Sequence, residues 1–169
     1  MQKLLAMFLV LLQFLPYATW GCGQENAYLT VIKELAQNRE RELKYIIVDW
    51  SDVKLANTAK LEKAFETYCC KHGITVLPHD FERLDAEGYI RYEETFYFDD
   101  GEEYTHWTFT DGIFIGFNDE KLTGNTLKTD VGTHCSKLNP LYIGDNYEFK
   151  VKRVGFMWFI VGKEGGVVA

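Results

Sequence analysis

One short acidic stretch holds the residue types that could most directly carry out chemistry. Six ionisable side chains fall within 13 residues: Asp99, Asp100, Glu102, Glu103, His106 and Asp111. Carboxylates beside a histidine can act as a general acid and base, or can bind calcium or zinc. Two Asp-Gly pairs in the same stretch are typical of hairpin turns, which acids commonly flank. The spacing differs from that of an EF-hand loop, so we expect a solvated turn that binds no metal.

The chain has four cysteines: Cys22, Cys69, Cys70 and Cys135. The apolar stripe of a predicted helix turns Cys69 towards the core, and Cys70 lies about 100° further round that helix. Export permits a disulfide, and we expect one between Cys69 and Cys135. A bridge from Cys135 to Cys70 and unbridged thiols are alternatives. A zinc site that adds His72 and His134 is another, although adjacent ligands suit a tetrahedral ion poorly.

Motifs that identify common enzyme classes are absent from the sequence. It contains no G-x-S-x-G elbow, no H-E-x-x-H zinc motif, no P-loop and no G-x-G-x-x-G motif. A cysteine nucleophile would need Cys135 to work with His134, or Cys70 with His72. Adjacent residues in a strand point to opposite faces, so the first pairing would not by itself activate the thiol. The sequence therefore favours a protein that is not an enzyme and that has no cofactor.

The first 21 residues have the layout of an export signal. Lys3 supplies a positive charge, an apolar region runs from Leu4 to Leu15, and Pro16 ends it. This region is short for a membrane span, which needs about 20 residues. We expect cleavage after Gly21, and an uncleaved membrane anchor is the alternative.

The residues Gly21-Cys22 behind this apolar region resemble the lipobox of exported bacterial lipoproteins. Thr19 and Trp20 differ from the aliphatic and small residues that are usual there. The resemblance implies that Cys22 becomes the mature N-terminus, carries lipid and tethers the chain to a membrane. Cleavage without lipidation would leave Cys22 as a terminal thiol and the protein secreted.

Two further stretches, FTDGIFIGFNDEKLTGNTLKTD and GFMWFIV, resemble segments of small uncharacterised exported proteins of Gram-positive bacteria. This resemblance implies an exported protein at the cell surface, and it assigns no site residue.

The charge balance narrows the range of partners. The chain has a net charge of −7, and removal of residues 1–21, which hold Lys3 and no acid, makes it −8. Nucleic acids and anionic lipid head groups attract basic surfaces, so net charge argues against both as partners. The partner itself, protein or small ligand, is not specified by this pattern.

Apolar periodicity divides the chain into a helical first part and a strand-rich second part. The first part is predicted to contain helices at 26–38, from 57 or 58 to about 72, and at PHDFERLDAEG, with a strand at 44–50. The second part contains the runs YIRYEETFYF, EEYTHWTFT and GIFIGF, a loop at NDEKLTGNT, and a closing hairpin of YEFKVKRV and FMWFIVG. The turn signals DDG and TDG predict hairpins between the first three runs.

These elements predict an α+β fold in which residues 22–169 form a single domain. Two to three N-terminal helices would pack on an antiparallel sheet of five to six strands, and the other sheet face would be partly open and rich in aromatics. We expect an exported, membrane-tethered binding or interaction protein that uses this face or the acidic hairpin tips. The alternatives are a small metal-dependent or acid/base hydrolase that uses the Asp99–Asp111 cluster, and a structural protein whose aromatics are all buried.

Overall fold

A computed structural model describes residues 19–21, 23–37, 43–96, 103–109, 111–133 and 145–167. Within them the chain forms three short helices and nine strands. The helices are α1 (Glu25–Gln37), α2 (Ala59–Lys71) and α3 (Phe81–Ala86). The strands are β1 (Thr19–Trp20), β2 (Tyr45–Asp49), β3 (Thr75–Leu77), β4 (Ile90–Phe96), β5 (Glu103–Phe109), β6 (Gly112–Thr123), β7 (Thr126–Thr133), β8 (Asp145–Val154) and β9 (Met157–Val167).

Seven strands form one curled mixed sheet in the order β1-β9-β8-β7-β6-β2-β3. In this sheet order β1, β9, β8, β7 and β6 are each antiparallel to the next, whereas β2 is parallel to both β6 and β3. Strands β4 and β5 pair with each other in a separate sheet. The predicted fold class is therefore wrong: the described chain is mostly β, and its main sheet is larger than five to six strands and is not purely antiparallel.

Strand β2 gives the physical reason for this error. Ile46 and Val48 are buried on one face of the sheet, and Tyr45 and Ile47 are buried on the other. A strand that is apolar on both faces is typical of parallel pairing. The apolar pattern predicts such a strand but not its hydrogen-bonding neighbours. Because β2 inserts between β6 and β3, part of the N-terminal half lies in the sheet and not on top of it.

The chain around Asp111 also differs from its prediction, because β5 and β6 belong to different sheets and do not form a hairpin. The backbone N–H of Lys44 donates to the carbonyl of Asp111 at 2.8 Å, and Lys44 Nζ lies 2.9 Å from Asp111 Oδ2. These contacts fix the start of β6 beside the start of β2. The predicted loop NDEKLTGNT is mostly strand, since β6 continues past an irregularity between Asn118 and Lys121.

Several local predictions in the first half are confirmed. The observed bounds of α1, β2 and α2 lie within about two residues of those predicted. The helix predicted over PHDFERLDAEG is present but shorter than predicted: α3 begins after Asp80, whose side chain accepts a hydrogen bond from the backbone N–H of Arg83. This is the usual way in which an aspartate caps a helix N-terminus.

Two apolar clusters lie on the two faces of the main sheet. Helices α1 and α2 cover what we call the inner face, where the largest buried sheet residues are Phe117, Phe149 and Trp158. On the opposite, outer face, α3 and the paired strands β4 and β5 pack over β2 and the start of β6. The outer face of β7, β8 and β9 instead carries exposed side chains.

Candidate functional site

The predicted acidic cluster is only partly within the described residues. Asp99, Asp100 and Glu102 lie outside them. Glu103 and His106 lie on β5, where their backbones pair with those of Phe96 and Glu93. Asp111 is ion-paired with Lys44 at the start of the main sheet, so this member of the set serves a structural contact.

The predicted cysteine sites also lie only partly within the described residues. Cys22 and Cys135 lie outside the described residues, so the lipid site and the Cys69–Cys135 bridge stay predictions. Cys69 is fully buried and Cys70 is exposed, as the apolar stripe predicts. Burial raises the pKa of the Cys69 thiol to about 12, which makes this thiol a poor nucleophile. Within the described part of the chain, no three His, Cys, Asp or Glu side chains are placed to hold a metal.

The turn between β8 and β9 presents large apolar side chains to solvent. Phe156 is 71% exposed, Val154 is 60% exposed, and Trp20 of the neighbouring strand β1 is 68% exposed. Gly155 closes the turn with a φ of +62°, a conformation that favours glycine. Val154 pairs with Met157, which in turn pairs with Trp20. We call Trp20, Val154 and Phe156 the apolar tip.

Four exposed lysines lie next to the apolar tip on the outer face. Lys128 is directly opposite Lys121 on one side and Lys150 on the other. Lys152 is two residues nearer the tip, and side chains two apart in a strand share a face. Neighbouring strands are about 4.8 Å apart, so the three paired lysines span roughly 10 Å across the sheet. We call Lys121, Lys128, Lys150 and Lys152 the lysine group.

A row of acids follows on the side of the lysine group away from the tip. Asp130 pairs with Glu148, and Glu148 pairs with Glu164. Lys128 Nζ lies 3.7 Å from Glu148 Oε1. No ion pair joins Lys121, Lys150 or Lys152 to an acid in the portion of the chain that is described. The outer face therefore changes from apolar to basic to acidic along the strands.

A second polar site lies where the parallel strands β2 and β3 end. Asp49 is the last residue of β2, and its Oδ1 lies 3.6 Å from Nδ1 of His79, just after β3. The backbone N–H of Ser51 donates to the same oxygen at 2.9 Å. Burial acts to raise the pKa of the Asp49 carboxyl, but hydrogen bonds from Ser51 and the nearby His79 outweigh it and hold that pKa below its usual value.

Aromatic rings fix the imidazole of this second site. The ring centroid of His79 is 4.8 Å from that of Phe81 and 5.3 Å from that of Phe114. At 3.6 Å the two groups are within ion-pair range but slightly beyond hydrogen-bond distance, and a small approach would give the Asp–His arrangement of a general acid or base, with Nε2 left for proton transfer. Ligands of open α/β sheets bind beyond the carboxyl ends of parallel strands, where this pair lies.

Comparisons with protein families, with characterised proteins and with solved structures found no match. Among the helices of the described residues, none is long and apolar enough to cross a membrane.

Both groups of residues were missed by sequence reasoning for the same reason. The lysine group comes from three strands, and Asp49 and His79 are 30 positions apart in the chain. Strand alternation predicts that Lys128 and Asp130 share a face, as do Lys150 and Lys152. The strand register that places Lys121, Lys128 and Lys150 opposite one another cannot be deduced from that alternation.

Proposed function

We propose that the protein is an exported, membrane-tethered interaction module that contacts its partner through the apolar tip and the adjoining outer face. The observation that carries the proposal is the exposure of Trp20, Val154 and Phe156 around one turn, beside a band of charged residues. Exposed apolar groups with a polar rim are typical of interaction surfaces. The structural alternative, in which all aromatics are buried, is less well supported because Trp20, Phe156 and Tyr92 are exposed.

The predicted processing step changes this surface. The backbone N–H of Gly21 donates to the carbonyl of Phe156 at 2.8 Å, and Cys22 is the next residue. Cleavage after Gly21 would break this hydrogen bond, so the contact belongs to the uncleaved chain. Cleavage after Gly21 would remove Trp20 but leave Val154 and Phe156 in place.

Site-specific cross-linking tests the proposed interaction. A photo-reactive amino acid replaces Phe156 in the full chain, which is expressed in cells and irradiated. The matched control carries the same group at Val76, an exposed residue of β3 at the opposite edge of the sheet. We expect a discrete protein or lipid adduct from position 156 and none from position 76. Equal yields from the two positions would contradict the proposal.

The second candidate function is that of a small acid/base hydrolase, and the Asp49–His79 pair is the observation that favours it. Its test is to screen the purified chain against ester, amide and glycoside substrates, and to compare it with His79→Gln and with His72→Gln as a control on the exposed end of α2. Activity that is lost only in His79→Gln would support this function.

The Asp99–Asp111 cluster remains a hypothesis for a metal-dependent form of the same activity. Thermal melts with calcium, zinc or a chelator test it, because a metal that binds only the folded state raises the midpoint. A rise that disappears in Asp99→Asn/Asp100→Asn would place the metal at this cluster.

A further inference from the structure

We propose that the partner of this surface is an anionic membrane, into which the apolar tip inserts while the lysine group contacts lipid phosphates. This inference rests on the proposed interaction function and names its partner. It concerns the folded domain itself, in addition to any lipid on Cys22. Three features carry it: the exposed apolar turn, the lysines beside it and the order of charges along the strands.

The apolar tip has the chemistry of a membrane-inserting turn. Phe156 and Val154 are exposed on either side of Gly155, and the uncleaved chain adds Trp20 on the adjacent strand. Tryptophan and phenylalanine favour the boundary between head groups and acyl chains. A soluble anionic polymer would make no favourable contact with these apolar groups. A lipid surface would contact both the apolar tip and the lysine group.

The lysine group lies at the distance from the tip at which lipid head groups would be found if the tip were inserted in a membrane. An antiparallel strand rises about 3.4 Å per residue, which places Lys152 roughly 7 Å and Lys150 roughly 14 Å from Val154 along β8. Glu148 would then be roughly 20 Å away. With the tip in the membrane, the lysines would contact lipid phosphates, and the acids of the next row would be held away from those phosphates.

The lysine group is also an arrangement that an anionic ligand would stabilise. Like charges directly opposite each other in a sheet are destabilising, yet Lys121, Lys128 and Lys150 form such a row. Glu148 offsets only part of this charge, since its ion pair is with Lys128. The net charge of the whole chain argues against an anionic partner. A membrane at the tip, however, would contact the lysine group, and the acids lie further along the strands.

Lysine footprinting on vesicles tests the inference with the full chain. The protein is reconstituted into vesicles of phosphatidylcholine alone or of phosphatidylcholine with phosphatidylglycerol, and acetylation of each lysine is followed by mass spectrometry. The control lysines are Lys63 and Lys71 of α2, which are exposed on the helix layer beyond the inner face. We expect phosphatidylglycerol to slow acetylation of Lys150 and Lys152 by at least about threefold and to leave Lys63 and Lys71 unchanged.

Three sets of variants test separately the contributions of tip insertion, of the lysine charges and of the lipid on Cys22. Val154→Ser/Phe156→Ser should abolish the protection, and its melting temperature checks that it folds, as expected for changes at exposed positions. Lys150→Gln/Lys152→Gln should remove the protection of Lys128, whereas Lys63→Gln/Lys71→Gln, with the same change in charge, should not. In Cys22→Ser, less protein should remain on vesicles, but the bound fraction should keep its protected lysines.

Three outcomes would overturn the inference: equal protection on neutral vesicles, equal protection of the α2 lysines, or protection that survives in Val154→Ser/Phe156→Ser. If position 156 cross-links to a protein in cells while these vesicles give no protection, the interaction function stands and the membrane is not its partner. If neither position 156 nor the vesicles give a signal, both proposals fail.

Discussion

At the residue scale, the Asp49 carboxylate is held in its charged form by its neighbours. Ser51 donates to it, and His79 lies 3.6 Å away. A carboxyl whose pKa is lowered in the folded state adds stability that is present above its ordinary pKa of 3.8 and is lost as the pH falls through the lowered folded value. The pH dependence of unfolding therefore reports on this site.

We predict that Asp49→Asn lowers the free energy of unfolding at pH 7 and that the difference from the native chain shrinks as the pH falls below 3.8. The measurement is urea unfolding of both proteins across this range. Asp52→Asn is the control, because Asp52 is an exposed acid in the same loop. A difference that stays constant down to the lowest pH would show that the carboxylate's charge is not what stabilises this site.

The two adjacent cysteines of α2 should differ strongly in reactivity. Cys69 is buried and its pKa is about 12, so almost none of it is thiolate at pH 8, whereas Cys70 is exposed. We predict that iodoacetamide modifies Cys70 of the folded chain and spares Cys69. Peptide mass spectrometry after timed labelling measures both rates, and equal rates would contradict the burial of Cys69.

The predicted bridge from Cys69 to Cys135 can be tested on the exported protein in the same way. If it forms, Cys69 and Cys135 stay unlabelled after denaturation without reductant and are labelled after reduction. The long loop that it closes would contribute about 4 kcal/mol in the chain-entropy account. Full labelling without reductant would show that the bridge is absent.

At the element scale, the contact between β2 and β6 depends on one glycine. Gly112 pairs with Tyr45, and a Cβ at position 112 would overlap the ring of that tyrosine, which is buried on the outer face. We predict that Gly112→Ala lowers the free energy of unfolding by about 2 kcal/mol through overpacking. Chemical denaturation measures the change.

Gly162→Ala is the matched control for this prediction. Gly162 lies in β9, and a Cβ there would be 3.5 Å from Cβ of Lys150, an ordinary contact. We expect its effect to stay within about 0.5 kcal/mol. If the two substitutions had equal effects, the fit of Gly112 against Tyr45 would not be what holds β2 beside β6.

The elements themselves were largely predictable, and their pairing was not. Helix α1 and strand β2 follow from apolar periodicity, because periodicity is a property of neighbouring residues. The parallel placement of β2 beside β6 joins segments 67 positions apart and depends on backbone hydrogen bonds that no local pattern specifies. The lysine group and the Asp49–His79 pair both depend on such pairings, whereas the acidic stretch around Asp99 is contiguous in the sequence and can be recognised from it directly.

At the scale of the whole molecule, the predicted tether is a property of Cys22 and of the segment before it. We predict that the mature protein begins at Cys22 and carries acyl chains, so that it fractionates with membranes and gains the corresponding mass. Intact-mass spectrometry of the membrane fraction measures both properties. Two acyl chains hold a protein firmly to a bilayer, whereas one gives marginal binding.

Cys22→Ser tests this prediction directly, because serine has no thiol to acylate. The variant should lose the added mass and should move out of the membrane fraction or remain as an unprocessed precursor. Cys70→Ser is the control for loss of a thiol elsewhere. If Cys22→Ser leaves both mass and fractionation unchanged, the lipid prediction is wrong.

Strand β1 gives this processing step a consequence for assembly. Thr19 and Trp20 pair with β9 at one border of the main sheet, and Thr19 is buried there, with Lys33 Nζ 3.4 Å from its hydroxyl. Cleavage after Gly21 would remove both residues and leave backbone donors and acceptors of β9 unpaired, and such a border readily accepts a strand from another chain. Precursor and mature forms would then differ in their tendency to self-associate, because residues 19 and 20 pair with Met157 and Trp158 at the start of β9 only until cleavage.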